Sequence, residues 1–338
     1  MIKLDPYIQA LLAAGTVIPA HPLALTADLN IDEPVQRGLT RYYLASGAGG
    51  VAVGVHTTQF EIRQPGVNLL EPVLALAAEE IASATPDQPV IKVAGVVGPT
   101  EQALREAALA VRHGYHLGLL SMGGLADYSE DELINRAQRV AEVIPIFGFY
   151  LQPAVGGRDL SYNFWRRFVE IPQVYAIKVA AFNRYNTLDV VRAVCRSSRR
   201  EDIALYTGND DNIVADLLTP YRFIIEGQPV EKRFVGGLLG HWAYGTPIAV
   251  ELLKEIKRSV QNNYAGIDDL LARGVVETDI NAAVFDPAHR FQGCLSGIHE
   301  MLRRQGLMTN IYCLNPHEKL SPGQMEEIER VIRDYNLP

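Results

Sequence analysis

The sequence contains little cysteine, no long apolar run and no excess of positive charge. Its three cysteines, Cys195, Cys294 and Cys313, are far apart and form no CxxC pair. This usage is typical of free thiols in a reducing cytoplasm, and it argues against a disulfide scaffold. No stretch of about 18 apolar residues is present, so no membrane span is predicted. The formal net charge of −8 argues against nucleic acid or an anionic membrane as a partner.

Nucleotide-binding signatures are also missing, and no targeting segment is predicted. No GxGxxG opens a helix after the first predicted strand, and no GxxxxGK[ST] loop occurs, which disfavours dinucleotide-binding and P-loop folds. The segment Met1–Pro6 lacks a basic stretch followed by an apolar one, so no signal peptide is predicted. With 48% hydrophobic and 21% charged residues, the 338-residue chain can bury a large core.

Short apolar runs alternate with amphipathic helical patterns up to about residue 262. The predicted strands are Thr16–Ala20, Gly50–Val55, Val90–Val96, Leu117–Ser121, Ile144–Leu151, Val174–Val179, Ile203–Thr207 and Val235–Leu239. This alternation predicts βαβ units, and the number of units predicts an α/β fold of the (β/α)8 TIM barrel type over residues 1–262. Residues 263–338 are predicted as a C-terminal helical extension packed on the barrel, with helices over 266–273, 290–305 and 322–335. The segment Tyr221–Phe234 is predicted as a long loop that serves as a lid, an oligomer contact or plain surface.

Lys178 is the most informative residue, because it stands in the otherwise apolar run Tyr175–Phe182. Burial of an ammonium is costly, and desolvation lowers the pKa of the amine. A neutral amine near pH 7 is what Schiff-base formation with a carbonyl requires. Taken alone, a strand-end lysine that extends to solvent is an equally open interpretation.

Active sites of barrels collect at the C-terminal ends of the strands. Tyr150 ends the fifth predicted strand and Lys178 lies near the end of the sixth, so both are expected to face one cavity. A tyrosine hydroxyl there can carry the proton that carbinolamine dehydration requires. Other predicted strand ends supply His56, Thr57, Thr58, Gly208 and Asp210.

The residues from Tyr150 to Lys178 resemble a motif of the dihydrodipicolinate synthase and N-acetylneuraminate lyase family, which are class I aldolases. The family pattern is Tyr-Asn-x-Pro-x-Arg-x-Gly-x-x-Leu, followed by Ile-Pro-Asn and a strand with Ile-Lys-Glu. Here Tyr150-Leu-Gln-Pro153 is followed by Ile171-Pro-Gln173 and Ile177-Lys178-Val179, with no gap between tyrosine and lysine. The resemblance covers roughly residues 15–262.

The resemblance implies a Schiff base on Lys178, a proton shuttle at Tyr150, and no metal or organic cofactor. It also implies a small 2-oxo acid as substrate and a homo-oligomer, either a dimer or a tetramer. A register without gaps puts His56 and Thr57 at the paired threonines of the family, whereas matching residue types selects Thr57 and Thr58. By the resemblance this segment would hold the substrate carboxylate, with Thr57 common to both registers, and Gly208 would belong to a supporting turn. His56 is an additional acid/base candidate; a structural histidine bonded to a neighbouring loop is an equally open interpretation.

Two departures from the family pattern bear on the substrate. Met122-Gly123-Gly124 stands where the synthases carry Pro-Tyr-Tyr, so the second tyrosine of their relay is missing. Val155 replaces the arginine that clamps the substrate, and Arg158 is the candidate substitute. Both departures argue against a role in lysine biosynthesis. The sequence therefore predicts a Schiff-base lyase or dehydratase that acts on another 2-oxo acid.

Two other hypotheses remain open at this stage. Asp210, Asp211 and histidines such as His241 could serve a metal-dependent barrel enzyme, although aspartates in this position are typical of helix caps. Alternatively, the chain could be a ligand-binding relative that keeps the scaffold without the catalytic relay.

Overall fold

Eight parallel strands surround a central core, as the alternating pattern predicts. The structure is a computed structural model that describes residues 2–84 and 89–337. The strands are β1 (Val17–Pro19), β2 (Gly50–Val53), β3 (Ile91–Val96), β4 (Leu117–Leu120), β5 (Ile146–Leu151), β6 (Val174–Ala180), β7 (Ala204–Thr207), β8 (Tyr221–Ile225), β9 (Gln228–Lys232) and β10 (Phe234–Leu239). The barrel order is β1-β10-β7-β6-β5-β4-β3-β2, and a parallel bridge between Ala20 and Ala52 links its two ends. The predicted TIM barrel is therefore confirmed.

Helices alternate with the barrel strands and continue beyond them. They are α1 (Pro6–Ala14), α2 (Glu33–Ala45), α3 (Leu70–Ser83), α4 (Thr100–Arg112), α5 (Glu130–Ala141), α6 (Tyr162–Phe168), α7 (Arg184–Arg196), α8 (Ile213–Leu218), α9 (His241–Tyr244), α10 (Thr246–Gln261), α11 (Ile267–Phe285), α12 (Cys294–Arg304) and α13 (Gln324–Tyr335). Side-chain caps define where several helices begin. Ser129 and Glu132 form a reciprocal capping box at α5, and the Asp32 side chain accepts a hydrogen bond from a backbone N–H of α2. No helix in the described part of the chain is long and apolar enough to cross a membrane.

Alternate residues of each strand belong to two separate cores. Along β5, Phe149 and Leu151 pack inside the barrel, whereas Tyr150 packs outside, under the helices. Successive side chains of a strand point to opposite faces, so this alternation sets the direction of every residue at the barrel mouth. In β6, Ala176 and Ala180 face the interior. Lys178 lies between them on the same face of the strand.

Helix α1 closes the N-terminal end of the barrel, and the sequence patterns did not predict it. Its residues Ile8 and Leu12 belong to the interior core. The Tyr206 hydroxyl inside the barrel donates to the Leu12 carbonyl at 2.9 Å. Ligands can therefore reach the interior most directly from the opposite end, where the strands terminate.

The segment predicted as a long loop forms an antiparallel hairpin. Strands β8 and β9 pair through a turn at Glu226-Gly227, where both residues have positive φ, as a type I′ turn requires. The hairpin packs against α7 and contributes no residue to the cavity at the barrel mouth. Its predicted role as a lid finds no support in this placement.

The C-terminal extension is helical, with α11 packed against α12 and α13. Helix α11 spans Ile267–Phe285 and is therefore longer than the predicted 266–273. The segment after it, residues 286–298, turns back over the end of the barrel and brings Phe291, Cys294 and Ile298 to the mouth.

Candidate active site at the barrel mouth

Lys178 projects into a cavity of about 50 Å³ at the C-terminal ends of the strands. The side chain is almost fully buried, with 7% of the residue exposed. Its Nζ lies 4.6 Å from the centre of the Phe149 ring. Burial lowers the pKa of the Lys178 amine to about 8, although the Asp210 carboxylate opposes that shift. With this pKa, about a tenth of the amine is uncharged at pH 7, far more than in a lysine with an ordinary pKa.

Gly208 provides the space that the lysine side chain occupies. A Cβ at position 208 would stand 2.5 Å from Lys178 Cε and 2.9 Å from Ala180 Cβ, so alanine cannot fit unless the lysine moves. The predicted involvement of Gly208 thus has a steric basis: the residue lets β7 approach the reactive side chain.

Alanine at position 208 is expected to slow any reaction of the Lys178 amine by about tenfold to a hundredfold, because displacements near 1 Å can have effects of this size. The rate of reductive trapping at Lys178 measures this effect. Gly38→Ala is the matched control, since a Cβ there meets no atom within 4 Å. An unchanged rate in Gly208→Ala would show that the lysine does not depend on this space.

Asp210 is the acidic group that faces the lysine from the turn after β7. Its carboxyl is buried, and desolvation raises its pKa to about 6, partly offset by Lys178 and His241. The backbone N–H of His241 donates to Asp210 Oδ1 at 3.2 Å, and Asn281 Nδ2 donates to the Asp210 carbonyl at 2.7 Å. Because its pKa lies close to neutrality, Asp210 can both accept and donate a proton.

The sequence pattern had suggested that Asp210 caps the helix that follows it, but in the structure its carboxylate contacts a different helix. Helix α8 begins after Asn212, and the Asp210 carboxylate instead accepts from the start of α9. The sequence feature that could have indicated a place at the cavity for Asp210 was its position close to Gly208, after the seventh barrel strand. Asp211 is exposed and lines no part of the cavity.

His241 lies behind Asp210 and is engaged with residues of α11. Its Nε2 lies 2.6 Å from Glu277 Oε2, and its Nδ1 lies 2.8 Å from Asn281 Oδ1. Burial disfavours the imidazolium, but Glu277, together with Asp210 and Asn281, offsets this cost and raises the pKa of His241. His241 lines a second cavity, of about 180 Å³, and not the one that holds Lys178.

The donor set gives a metal site no support. Among residues 2–84 and 89–337, no three His, Cys, Asp or Glu side chains are grouped so that they could hold a metal ion. Of the residues named for the metal-dependent hypothesis, Asp211 is exposed and the His241 side chain is paired with Glu277.

The turn after β2 places His56 and Thr57, but not Thr58, at the cavity. Burial and the nearby Lys178 charge lower the pKa of His56 to about 4, so its imidazole is neutral at pH 7. Thr57 lines the cavity and donates from Oγ1 to the His21 carbonyl at 3.2 Å. The Thr58 hydroxyl is fully used within the turn, because it donates to the His21 carbonyl and accepts from Gly54 N–H.

The structure corrects the expectation that the Tyr150 phenol shares the cavity with Lys178. Tyr150 is only 1% exposed and belongs to the core between strands and helices, where its ring packs against Trp165 with centroids 5.4 Å apart. Its hydroxyl accepts from Leu160 N–H at 3.4 Å. The register pairs Phe149 with Lys178 and Tyr150 with Val179, so the phenol points away from the amine. Burial also raises the pKa of Tyr150 to about 12.

Arg158 does not occupy the place of the missing clamp arginine. Its guanidinium donates to the carbonyls of Leu125 and Tyr128, at 2.5 and 3.1 Å, and thereby fastens the loop after β4. Arg158 lines no part of the cavity. Val155, at the clamp position itself, does line it and presents an apolar surface.

The sequence was compared with family models and curated proteins, and neither comparison found a match. Solved structures do match over almost the whole chain. N-acetylneuraminate lyase from Fusobacterium nucleatum is 17% identical, with a TM-score of 0.72, and the match covers 96% of this chain and 99% of that one. Dihydrodipicolinate synthase from Oceanobacillus iheyensis is 16% identical, with a TM-score of 0.75 and coverage of 98% and 100%.

A third match is a prophage protein of the dihydrodipicolinic acid synthase family from E. coli K12, solved in complex with pyruvate. It is 16% identical, with a TM-score of 0.76, and the match covers 96% of this chain and 99% of that one. At these identities the matches establish a shared fold. The resemblance in fold that the motif between Tyr150 and Lys178 implied is therefore confirmed.

Proposed function

We propose that the chain is a divergent member of the dihydrodipicolinate synthase and N-acetylneuraminate lyase family, and that it forms a Schiff base between Lys178 and a small 2-oxo acid. The observation that carries this proposal is a buried amine, with a pKa of about 8, in a cavity at the barrel mouth. Pyruvate bound to the similar prophage protein supports the choice of a 2-oxo acid. The reaction class is a lyase or dehydratase of the class I aldolase type.

The reaction begins with attack of neutral Lys178 Nζ on the C2 carbonyl of the substrate. The carbinolamine then loses water, and the departing hydroxyl requires a proton. Asp210 supplies that proton in this proposal, because its carboxyl faces the cavity and the Tyr150 phenol does not. The protonated imine accepts an electron pair from C3. The bond between C3 and C4 can therefore break, or C3 can lose a proton and the resulting enamine can expel a hydroxyl from C4 as water.

The carboxylate of the substrate is assigned to the His56-Thr57 turn, at the end of β2. Both residues line the cavity, and the neutral imidazole can donate a hydrogen bond without adding charge beside the amine. Without a clamp arginine in the cavity, the remainder of the substrate contacts apolar residues such as Val155 and Phe291. A homo-oligomer stays a prediction.

Incubation with pyruvate and borohydride tests the proposal. A reduced adduct is expected on Lys178, located by peptide mass spectrometry, and Lys178→Met should abolish it. Lys92, a partly buried lysine of β3 outside the cavity, is the internal control and should remain unmodified. If Lys178 stayed unmodified across a panel of 2-oxo acids, the proposed function would be wrong.

A further inference from the structure

Two aromatic side chains meet over the cavity, and both stand on strained backbone. Phe182 follows β6 and has φ of 49°, while Phe291 lies in the segment between α11 and α12 and has φ of 64°. A bulky residue with positive φ is a genuine outlier, and such outliers persist only where the surrounding structure enforces them. The two rings pack edge to face with centroids 5.7 Å apart, and both line the cavity of Lys178.

Hydrogen bonds hold each strained residue in place from buried positions. The N–H of Phe182 donates to Oδ1 of the buried Asn209 at 2.9 Å. The N–H of Phe291 donates to the Asp286 carbonyl at 2.9 Å. The Asp286 carboxylate in turn accepts from Gly293 N–H at 3.2 Å and from Ser321 Oγ at 2.5 Å. The backbone therefore enforces the position of both rings.

Phe291 lies where the cavity of Lys178 meets a larger outer chamber, whereas Phe182 lines only the cavity of Lys178. This outer chamber has a volume of about 240 Å³ and is lined by polar residues that include Gln59, Glu61 and Glu318. His56, Val155 and Phe291 line both spaces and thus form the constriction between them. A substrate longer than the inner cavity must pass this constriction to extend outward.

We propose that Phe182 and Phe291 form an aromatic gate that determines which carbon chains reach Lys178. The gate limits the inner cavity to short carbonyl compounds and directs a longer chain past Phe291 into the outer chamber. Phe291 comes from the C-terminal extension, so this segment contributes directly to substrate selection. The gate as a determinant of substrate length rests on the proposed function, but its effect on access to the amine can be measured without it.

Reductive alkylation of Lys178 by aldehydes of different length measures access to the amine. We expect Phe291→Ala to raise the rate with hexanal about tenfold, the effect of about one to two methylenes in a tight pocket. The rate with formaldehyde should change less than twofold. Phe291→Asn provides a second variant, because asparagine adopts positive φ readily and keeps the turn intact. The same ratio is then measured by imine trapping of 2-oxohexanoate against pyruvate.

Phe60→Ala is the matched control, because this phenylalanine lines the outer chamber but not the cavity of Lys178. Its ratio of hexanal to formaldehyde rates should equal that of the unaltered protein. If the ratios in Phe291→Ala and Phe291→Asn both equal that of the unaltered protein, the gate is overturned. If no 2-oxo acid is trapped while the aldehyde ratio rises, the proposed function fails and the gate stands. If pyruvate is trapped and the ratio of hexanal to formaldehyde rates is unchanged, the proposed function stands and the gate fails.

Discussion

Asparagine at position 210 is expected to lower kcat/KM for the 2-oxo acid by about 10²–10⁴-fold, the usual contribution of a general acid or base. Asp210 faces Lys178 across the cavity, and burial raises the pKa of its carboxyl to about 6. It is therefore the group in this cavity best matched to proton transfer near pH 7. An asparagine keeps the size and the contact with His241 N–H but has no proton to donate. Steady-state kinetics with the substrate that traps on Lys178 measures the loss.

The pH dependence follows from the same pair of groups. Lys178 and Asp210 together hold one proton between about pH 6 and pH 8, and their apparent pKa values belong to the pair. Below about pH 6 both groups are protonated, so the singly protonated pair, in which the proton can sit on Asp210 and leave the amine neutral, is lost and the rate falls. Above about pH 8 the pair has lost its proton, so dehydration of the carbinolamine slows. A bell-shaped profile of kcat/KM is expected, and Asp210→Asn should lose this shape.

Substitutions of Asp211 and Tyr150 distinguish proton transfer by Asp210 from proton transfer by either of these residues. Asp211→Asn changes an exposed carboxylate next to Asp210 and should alter kcat/KM less than threefold, in line with its place outside the cavity. Tyr150→Phe removes the phenol that points away from Lys178, and it should likewise leave kcat/KM nearly unchanged. A large loss in Tyr150→Phe, with little loss in Asp210→Asn, would return the proton transfer to the tyrosine.

The barrel could be predicted because its strands leave a strong local signal. Each barrel strand is a short apolar run between helical patterns, and the bounds agree within about two residues, as for β5 at Ile146–Leu151. Lys178 could be found for the same reason, since one charge in a buried strand stands out against its neighbours. Helix α1 was missed because Pro6–Ala14 is short and carries few polar residues to mark a solvent face.

The direction of Tyr150 could not be predicted, because β5 is buried on both faces. Strands of a parallel barrel are apolar throughout, so no alternation of polar and apolar residues shows which side chains face the interior. The motif placed the tyrosine at the end of the strand, but the register decides which face it takes. In the structure Phe149, rather than Tyr150, stands opposite Lys178. The ring of Phe149 then covers the amine.

The contribution of Phe291 to the cavity could not be predicted from the sequence either. Phe291 reaches the mouth from a segment more than a hundred residues beyond Lys178 in the chain. No local pattern carries information on such a long-range contact. The positive φ values of Asp286, Arg290 and Phe291 could not be predicted either, because these residue types, unlike glycine, do not by themselves indicate a left-handed turn.

Removal of the Glu106 carboxylate is expected to lower the free energy of unfolding by about 3–5 kcal/mol, because it leaves the buried Arg63 guanidinium without its counter-charge. The two side chains are each 7% exposed, and their atoms lie 3.0 Å apart. Glu106 also accepts from Val97 N–H at 3.1 Å, while Arg63 donates to the carbonyls of Gly54 and Gly95. The pair therefore joins the ends of β2 and β3 just before the His56 turn.

The shift of the urea midpoint in Glu106→Gln measures this loss. Glu101→Gln is the matched control: Glu101 is on the same helix and pairs with Arg139 at 2.9 Å, but 70% of its side chain is exposed. Exposed pairs contribute little, so this variant should unfold almost like the unaltered protein. The double variant Arg63→Met/Glu106→Leu should be more stable than Glu106→Gln, because it removes both buried charges together. Equal stability of Glu106→Gln and Glu101→Gln would mean that water reaches Arg63, so that the barrel rim does not depend on the pair.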